Sequence, residues 1–147
     1  ASLFRSIKKA IPNLKEVVIT EGGCGRLHVI LSVSQPKPSE AQKAILAVFA
    51  NLNLAKSVIV VDDDIDPRDP IHVEWATATR MRADRDIIIN PGVKTDRSEP
   101  LEELMTVAKM GIDATKPYDL PPEMFEVADV PKEMKDRVAR KLKWINL

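Results

Sequence analysis

The stretch SVIVVDDDIDPRDPIHVEWATATR, which spans residues 57–80, contains the strongest structural signal of the sequence. It opens with a β-branched run, Ser57–Val61, of the kind that forms a central strand buried on both faces. Asp69 followed by Pro70 predicts a helix that the aspartate caps and the proline begins, continuing to Arg80. Between the strand and the capping Asp69 lie four acidic residues: Asp62, Asp63, Asp64 and Asp66. The stretch therefore predicts a strand, an acidic turn and a helix of an α/β sheet.

The segments before this stretch predict two helices and a hairpin. The first helix stops at Pro12, since proline does not continue a helix. The strands Glu16–Thr20 and Arg26–Val33 are separated by a turn with three glycines, which indicates an antiparallel hairpin. The second helix begins at Ser39, and Gln42 three residues later predicts a capping box.

The segments after this stretch predict one more strand and one more helix. Asp86–Asn90 has the composition of another buried strand, closed by a turn at Pro91–Gly92. Ser98 begins a segment with apolar residues at helical spacing through Ala108, which predicts a helix that Gly111 ends.

The alternation of strands and helices predicts the fold class and the domain organisation. It indicates an α/β fold with a mostly parallel sheet and flanking helices, in a three-layer, Rossmann-like arrangement. We expect this domain to occupy residues 1–120. Residues 121–147 read as an irregular, proline-rich linker followed by an extended, amphipathic C-terminal helix. The candidate interface of that helix is its apolar side: Met134, Val138, Leu142, Trp144 and Ile145.

Composition excludes several functional classes. The chain has 147 residues, and its 22 basic residues balance its 22 acidic ones, so no net field attracts nucleic acid. No apolar run reaches the length of a membrane span. Cys24 is the only cysteine, so no intrachain disulfide forms, and we expect a reducing, cytoplasmic location.

The acidic turn admits several interpretations. An EF-hand loop beginning at Asp62 would need glycine where Pro67 stands and glutamate where Val73 stands, so that interpretation fails. An aspartyl-phosphate receiver would use Asp62 or Asp63, but the next strand ends in Asn90 rather than in an aspartate. A structural role is favoured, in which Asp62 or Asp64 pairs with Arg68 or Arg80, because adjacent carboxylates repel one another unless a cation lies near them.

Other chemically active residues stand alone. The EGGCG segment precedes a strand, whereas a phosphate loop opens a helix, so a hairpin turn is favoured there. Cys24 lies in this turn without a histidine at a useful spacing. His28 and His72 are isolated from each other and do not form a metal site. We therefore assign no catalytic, cofactor-binding or metal-binding residue to this chain.

The motif VIVVDDDIDPRD, followed by VEWATATR and DIIINPG, resembles the C-terminal domain of the UbiD-type, prenylated-FMN-dependent decarboxylases. The matching residues are the acidic run Asp62–Asp66 and, in the following helix, Trp75, Ala76, Thr79 and Arg80. The segments IPNLKEV, RLHVILSV and KMGIDATKP are similar to the family as well. The resemblance covers most of residues 1–120.

The resemblance implies one part of a larger enzyme. Family members are about three times as long as this chain, and their prenylated FMN, divalent metal (Mn), potassium and catalytic Glu-Arg-Glu network belong to the preceding domains. Their reaction is non-oxidative decarboxylation of aromatic acids, such as 4-hydroxybenzoate or its 3-polyprenyl derivative, or of α,β-unsaturated acids. The C-terminal domain builds the oligomer interface and moves against the flavin domain.

These implications define the expected function. The chain is expected to be an assembly and closure domain, or a separate subunit, of a carboxy-lyase, and to be inactive alone. Its expected partners are a flavin-binding domain or subunit and further copies of itself. The alternatives that remain open are a non-enzymatic α/β interaction module and the aspartyl-phosphate receiver.

Overall fold

A single sheet lies at the centre of the structure. The computed structural model describes residues 2–126, 128 and 130–142. Within them, five strands form this sheet: β1 (Leu14–Ile19), β2 (His28–Val33), β3 (Ser57–Asp62), β4 (Ile87–Lys94) and β5 (Thr106–Ala114). Their order across the sheet is β1-β2-β3-β5-β4. The central strands β2, β3 and β5 are parallel, whereas β1 and β4 run antiparallel to their neighbours at the two edges.

Helices cover both faces of the sheet. The described residues contain four α-helices, α1 (Ser2–Ala10), α2 (Glu40–Asn51), α3 (Pro70–Arg80) and α4 (Lys132–Leu142), and one 3-10 turn, Pro122–Phe125. Buried residues of α1 and α2 pack on one face, and α3 packs on the other. The predicted α/β class, with its mostly parallel sheet and flanking helices, is confirmed.

The strand predicted to be central occupies the middle of the sheet. Val58, Val60 and Val61 in β3 are completely buried, because α2 covers one face of this strand and α3 covers the other. The neighbouring strand β2 is buried in the same way from Val29 to Val33. The antiparallel pairing of β1 with β2 confirms the predicted hairpin.

The predicted helix from Ser98 to Ala108 is wrong. Residues 95–105 form a loop, and the chain from Thr106 to Ala114 is the strand β5. The apolar residues that suggested a helical stripe are largely exposed: Leu101 is 71% and Leu104 is 96% accessible. Helical spacing of apolar residues was misleading here because these side chains do not contribute to the core.

Two further local predictions need correction. Ser39 has a left-handed φ of 68° and its side chain makes no capping bond, so the predicted capping box with Gln42 does not form. Instead, a carboxylate oxygen of Glu40 accepts a hydrogen bond from the Lys37 N–H at 2.8 Å. The strand predicted to be buried, β4, is an edge strand that continues through Pro91–Gly92, with a register shift between Asn90 and Val93.

The C-terminal segment carries an exposed helix. Met134 and Val138 in α4 are 45% and 49% accessible, so the described part of their apolar side is open. Of the other candidate interface residues, the side chain of Leu142 and the whole of Trp144 and Ile145 lie outside the part of the chain that the structure describes. No helix among the described residues has the length and apolar character needed to cross a lipid bilayer.

We predict that Gly111→Ala destabilises the fold by about 1–3 kcal/mol, the usual cost of overpacking a core. A Cβ at this position would lie 2.3 Å from Cγ2 of Ile45, which α2 holds against β5. The matched control is Gly22→Ala, whose added Cβ meets nothing within 4 Å. Urea unfolding followed by circular dichroism measures both variants. Equal stability of the two would contradict this description of the α2–β5 contact.

Candidate functional site

The acidic residues lie at one edge of the sheet. Since β2, β3 and β5 are parallel, their last residues, Val33, Asp62 and Ala114, share what we term the carboxyl edge. The chain turns after Asp62 and crosses this edge before α3 begins. This topology brings the acidic turn close to Arg80 at the end of α3 and to Lys116, which follows β5.

Arg80 is the centre of the resulting charge cluster. Its side chain is fully buried, and Nη1 donates hydrogen bonds to Oδ2 of Asp62 and to Oδ1 of Asp64, both at 3.0 Å. Nη2 donates to Oδ2 of Asp64 at 2.9 Å, so the contact with Asp64 is bidentate. The guanidinium carbon lies 5.2 Å from the centroid of the Trp75 ring, within the range of a cation–π contact. The predicted pairing of Arg80 with these aspartates is therefore present.

Lys116 is a second cation in the cluster, and this role was not predicted from the sequence. Its backbone N–H donates to Oδ2 of Asp62 at 2.7 Å, and its Nζ lies 2.8 Å from Oδ2 of Asp64. These bonds connect the end of β5 to the end of β3. The result is a network in which two carboxylates hold together two strands and one helix.

The two carboxylates differ in their electrostatic environment. Burial raises the pKa of Asp62, and this effect outweighs the Lys116 N–H and the Arg80 charge, which lower it. Burial also acts to raise the pKa of Asp64, but hydrogen bonds from Arg80 and Lys116 prevail and lower that pKa to about 2. Asp64 therefore stays ionised throughout the physiological range and stabilises the Arg80 charge.

The remaining members of the motif shape the turn and the start of α3. Asp63 is exposed. Oδ1 of Asp66 accepts the Arg68 N–H at 2.9 Å, and the Asp66 N–H donates to Nδ1 of His72 at 3.1 Å. Asp69 caps α3 as predicted, because its Oδ1 accepts the Ile71 N–H at 2.9 Å. The contacts of Asp66 and Asp69 thus lie within the turn and the first turn of α3.

An apolar groove lies between α3 and the part of the sheet that this helix leaves uncovered. Its volume is about 840 Å³. The floor and roof are mainly aliphatic: Val18, Ile30, Ile59, Val73, Ala78 and Met81. His28 also lines the groove, and its buried Nε2 has no hydrogen-bond partner among the described residues. Burial lowers the pKa of His28, so the imidazole is neutral at physiological pH. The groove was not predicted, because it is formed by residues from separate elements.

A second buried charge cluster anchors the loop between β4 and β5. Glu99 is 2% accessible, and its Oε1 accepts from Nζ of Lys56 at 2.7 Å. Lys109 is 1% accessible and donates to the carbonyl of Asn53 at 2.6 Å, with its ammonium over the Phe49 ring. This cluster was not predicted, because the helix expected from Ser98 to Ala108 would include Glu99 and end next to Lys109.

The described residues do not suit the cofactors of the resembled family. They include no group of three or more His, Cys, Asp or Glu side chains able to hold a metal ion. Glu21 and Glu74 line the apolar groove, where they would repel the phosphate of a flavin mononucleotide. The side chain of Arg68, which also lines it, is paired with Glu16. We therefore assign no cofactor-binding role to the groove.

We predict that Arg80→Met lowers the free energy of unfolding by about 3–5 kcal/mol, because it leaves Asp62 buried without its charged partner. The matched control is Arg82→Met. The Arg82 side chain is 43% accessible and its Nη1 lies 3.7 Å from Asp119, so the control should lose at most about 1 kcal/mol. Denaturant titration measures both losses. Similar values for the two variants would show that the network is dispensable.

Comparison with known proteins agrees with this architecture. The family model of the 3-octaprenyl-4-hydroxybenzoate carboxy-lyase C-terminal domain matches residues 1–114 of this chain. The chain is 40% identical over 119 residues to the anhydromevalonate phosphate decarboxylase of Aeropyrum pernix, a match that covers 81% of this chain and 27% of the relative.

Solved structures show the same similarity. The UbiD-class enzyme HmfF from Pelotomaculum thermopropionicum, in complex with FMN, superposes with a TM-score of 0.85 at 39% identity, covering 94% of this chain and 31% of that one. An evolved dimeric form of HmfF, in complex with prFMN, gives a TM-score of 0.74 at 34% identity, covering 94% of this chain and 28% of that one.

The chain spans less than a third of the length of these relatives. The match over residues 1–114 includes the whole sheet, the acidic turn and Arg80. This match and the similarity of sequence and fold show that the chain belongs to the UbiD family of decarboxylases, and that residues 1–114 correspond to the C-terminal domain of that family.

Proposed function

We propose that this chain is the C-terminal assembly and closure part of a prenylated-flavin-dependent, non-oxidative decarboxylase. It acts either as a domain of a longer polypeptide or as a separate subunit, with residues 1–120 forming the α/β domain and residues 121–147 the linker and helix. The observation that carries the proposal is the match of residues 1–114 to the carboxy-lyase C-terminal domain, in a chain that spans 27% of a decarboxylase relative.

The chemistry is assigned to the remainder of the parent enzyme. Complexes of related enzymes with FMN and prFMN support a flavin cofactor there. The family resemblance adds manganese and potassium, for which the described part of this chain offers no cluster of ligands. The proposed substrates are aromatic or α,β-unsaturated carboxylic acids, among which an acid like the anhydromevalonate phosphate of the Aeropyrum pernix relative is a specific candidate.

The contribution of this chain is mechanical. Arg80 and Lys116 fasten α3 and β5 to the carboxyl edge, so the domain can move as one body when an active site closes around its substrate. Closure of that kind excludes water from the reacting groups. We propose that the parent enzyme works in the cytoplasm, where the exposed thiol of Cys24 stays reduced.

The helix α4 is proposed to contribute to assembly. An isolated helix of eleven residues is marginal in water unless its apolar side is buried. Met134 and Val138 are exposed, and a related enzyme has a dimeric form, which supports docking of α4 on a neighbouring subunit. The proposed homo-oligomer is most simply a two-fold dimer.

The alternatives receive less support. A non-enzymatic interaction module would use the same scaffold without a flavin-binding partner. An aspartyl-phosphate receiver would need an accessible carboxylate at the end of β3, but Asp62 is buried and bonded to Arg80 and Lys116. Asp63 is exposed, so labelling with acetyl phosphate tests that alternative directly.

We predict that the isolated chain is catalytically silent and that its partner binds flavin. Purified protein should be colourless and release no carbon dioxide from cinnamate- or hydroxybenzoate-like acids, even with added prenylated FMN. The tagged chain, isolated from the cells that make it, should bring a flavin-absorbing UbiD-type polypeptide with it, or be continuous with one. Turnover by the isolated chain, or absence of any such polypeptide, would refute the proposal.

We predict that the oligomer depends on α4. Light scattering should show a multimer for the full chain and a smaller species for a version that ends at Val130. Met134→Gln combined with Val138→Gln should weaken association without removing the helix, whereas Arg137→Gln, also in α4, is the control. A full chain that is monomeric, or an oligomer that survives both changes, would assign assembly to another surface.

A further inference from the structure

The tip of the β4–β5 loop has an unfavourable backbone conformation for its sequence. Leu104 and Met105 have φ angles of 49° and 63°, both left-handed. The flanking residues Glu103 and Thr106 exchange two backbone hydrogen bonds of 2.9 Å, which closes a two-residue turn. A turn with two left-handed residues favours Asn-Gly, because side chains with bulky carbons crowd the backbone there. Leucine and methionine are therefore a strained choice for this turn.

The same tip exposes apolar side chains. Leu104 is 96% accessible, Leu101 is 71% and Met105 is 37%. These side chains gain little from burial in the folded domain, so burial does not offset the strained turn. Strain and exposure of apolar groups together indicate a surface that is completed by a partner.

The base of the loop is fixed to the domain. Glu99 accepts hydrogen bonds from Lys56 Nζ at 2.7 Å and from the Leu101 N–H at 3.1 Å. The Thr95 N–H donates to the carbonyl of Met105 at 2.9 Å. The tip is thus held in position by buried charge and backbone bonds, as expected for a preformed contact surface.

The position of the tip indicates which partner it meets. Thr106 begins β5 at the amino edge of the sheet, opposite the carboxyl edge where the chain continues to Lys116. The amide of Asn13, just after α1, bonds to Glu40 at the start of α2, so the end of α1 lies beside the beginning of α2. Leu14, which follows α1, pairs with Val33 at the carboxyl edge, and α1 packs along α2, so α1 ends at the carboxyl edge and begins on the side of the amino edge.

We propose that Leu101, Leu104 and Met105 form the contact by which this domain seats in an apolar pocket of the flavin-binding part of the enzyme. In relatives the matched region is a C-terminal domain, so the rest of the polypeptide precedes it and joins it through α1. The polypeptide that leads into α1 therefore reaches this domain on the side of the sheet toward which the tip projects. This inference rests on the proposed function, whose partner surface it names.

Site-specific photocrosslinking tests the proposal in the full polypeptide or complex in which the chain occurs. Benzoylphenylalanine replaces Leu104, and in a control it replaces Ile71, which is 77% accessible and lies on α3. Cross-linked peptides from the flavin-binding part, obtained from position 104 and not from position 71, support the proposal. Crosslinks from position 104 only to a second copy of this chain, or none at all, overturn it.

The same sample separates the two hypotheses. If the flavin-binding polypeptide is present but position 104 does not cross-link to it, the tip inference fails and the proposed function stands. If no flavin-binding polypeptide is present, both fail.

Opposite effects on stability and association provide a second test. The double substitution Leu104→Asn with Met105→Gly supplies the residues that the turn favours. The melting temperature of the domain should stay the same or rise. The equilibrium constant for association with the flavin-binding part, or for closure against it, should fall about tenfold, as for loss of an apolar anchor. Unchanged association in a variant that remains folded would overturn the proposal.

Discussion

The ion pairs of the buried Arg80 guanidinium hold together the elements at the carboxyl edge of this domain. A buried cation is costly unless its donors meet anionic partners. Asp62 and Asp64 meet this requirement from the end of β3, and Trp75 contributes its ring face. The three connected elements are thereby fixed relative to one another, which explains why the motif includes acids, an aromatic residue and arginine together.

The network also explains why a run of aspartates need not indicate catalysis. Asp62 and Asp64 form ion pairs with Arg80, and Asp64 also pairs with Lys116. Asp69 accepts a hydrogen bond from the first turn of α3. Among the described residues, three surfaces are candidates for contacts with other parts of an enzyme: the groove beneath α3, the apolar side of α4 and the tip of the β4–β5 loop. Such surfaces are consistent with the assembly and closure role proposed above.

Sequence predicted those elements whose signals are local. The β-branched run before Asp62 and the Asp69–Pro70 pair specify β3 and α3 through neighbouring residues, and both occur as expected. The strand β5 was missed because its identity comes from pairing with β3 and β4, about 50 and 20 residues away along the chain, which helical spacing does not register. Lys116 was missed as a partner of Asp62 for the same reason, since 54 residues separate them.

The two outer strands of the sheet, β1 and β4, limit how copies of this domain can meet. Both edge strands are irregular: the register shifts between Leu14 and Glu16 in β1 and between Asn90 and Val93 in β4, where Pro91 also removes a backbone donor. Interrupted edges of this kind resist extension by a foreign strand. The domain is thus protected against growing into a continuous intermolecular sheet, the first step of many aggregates. A second chain that contacts the domain would instead meet side chains on its helices and loops, where each contact can be specific.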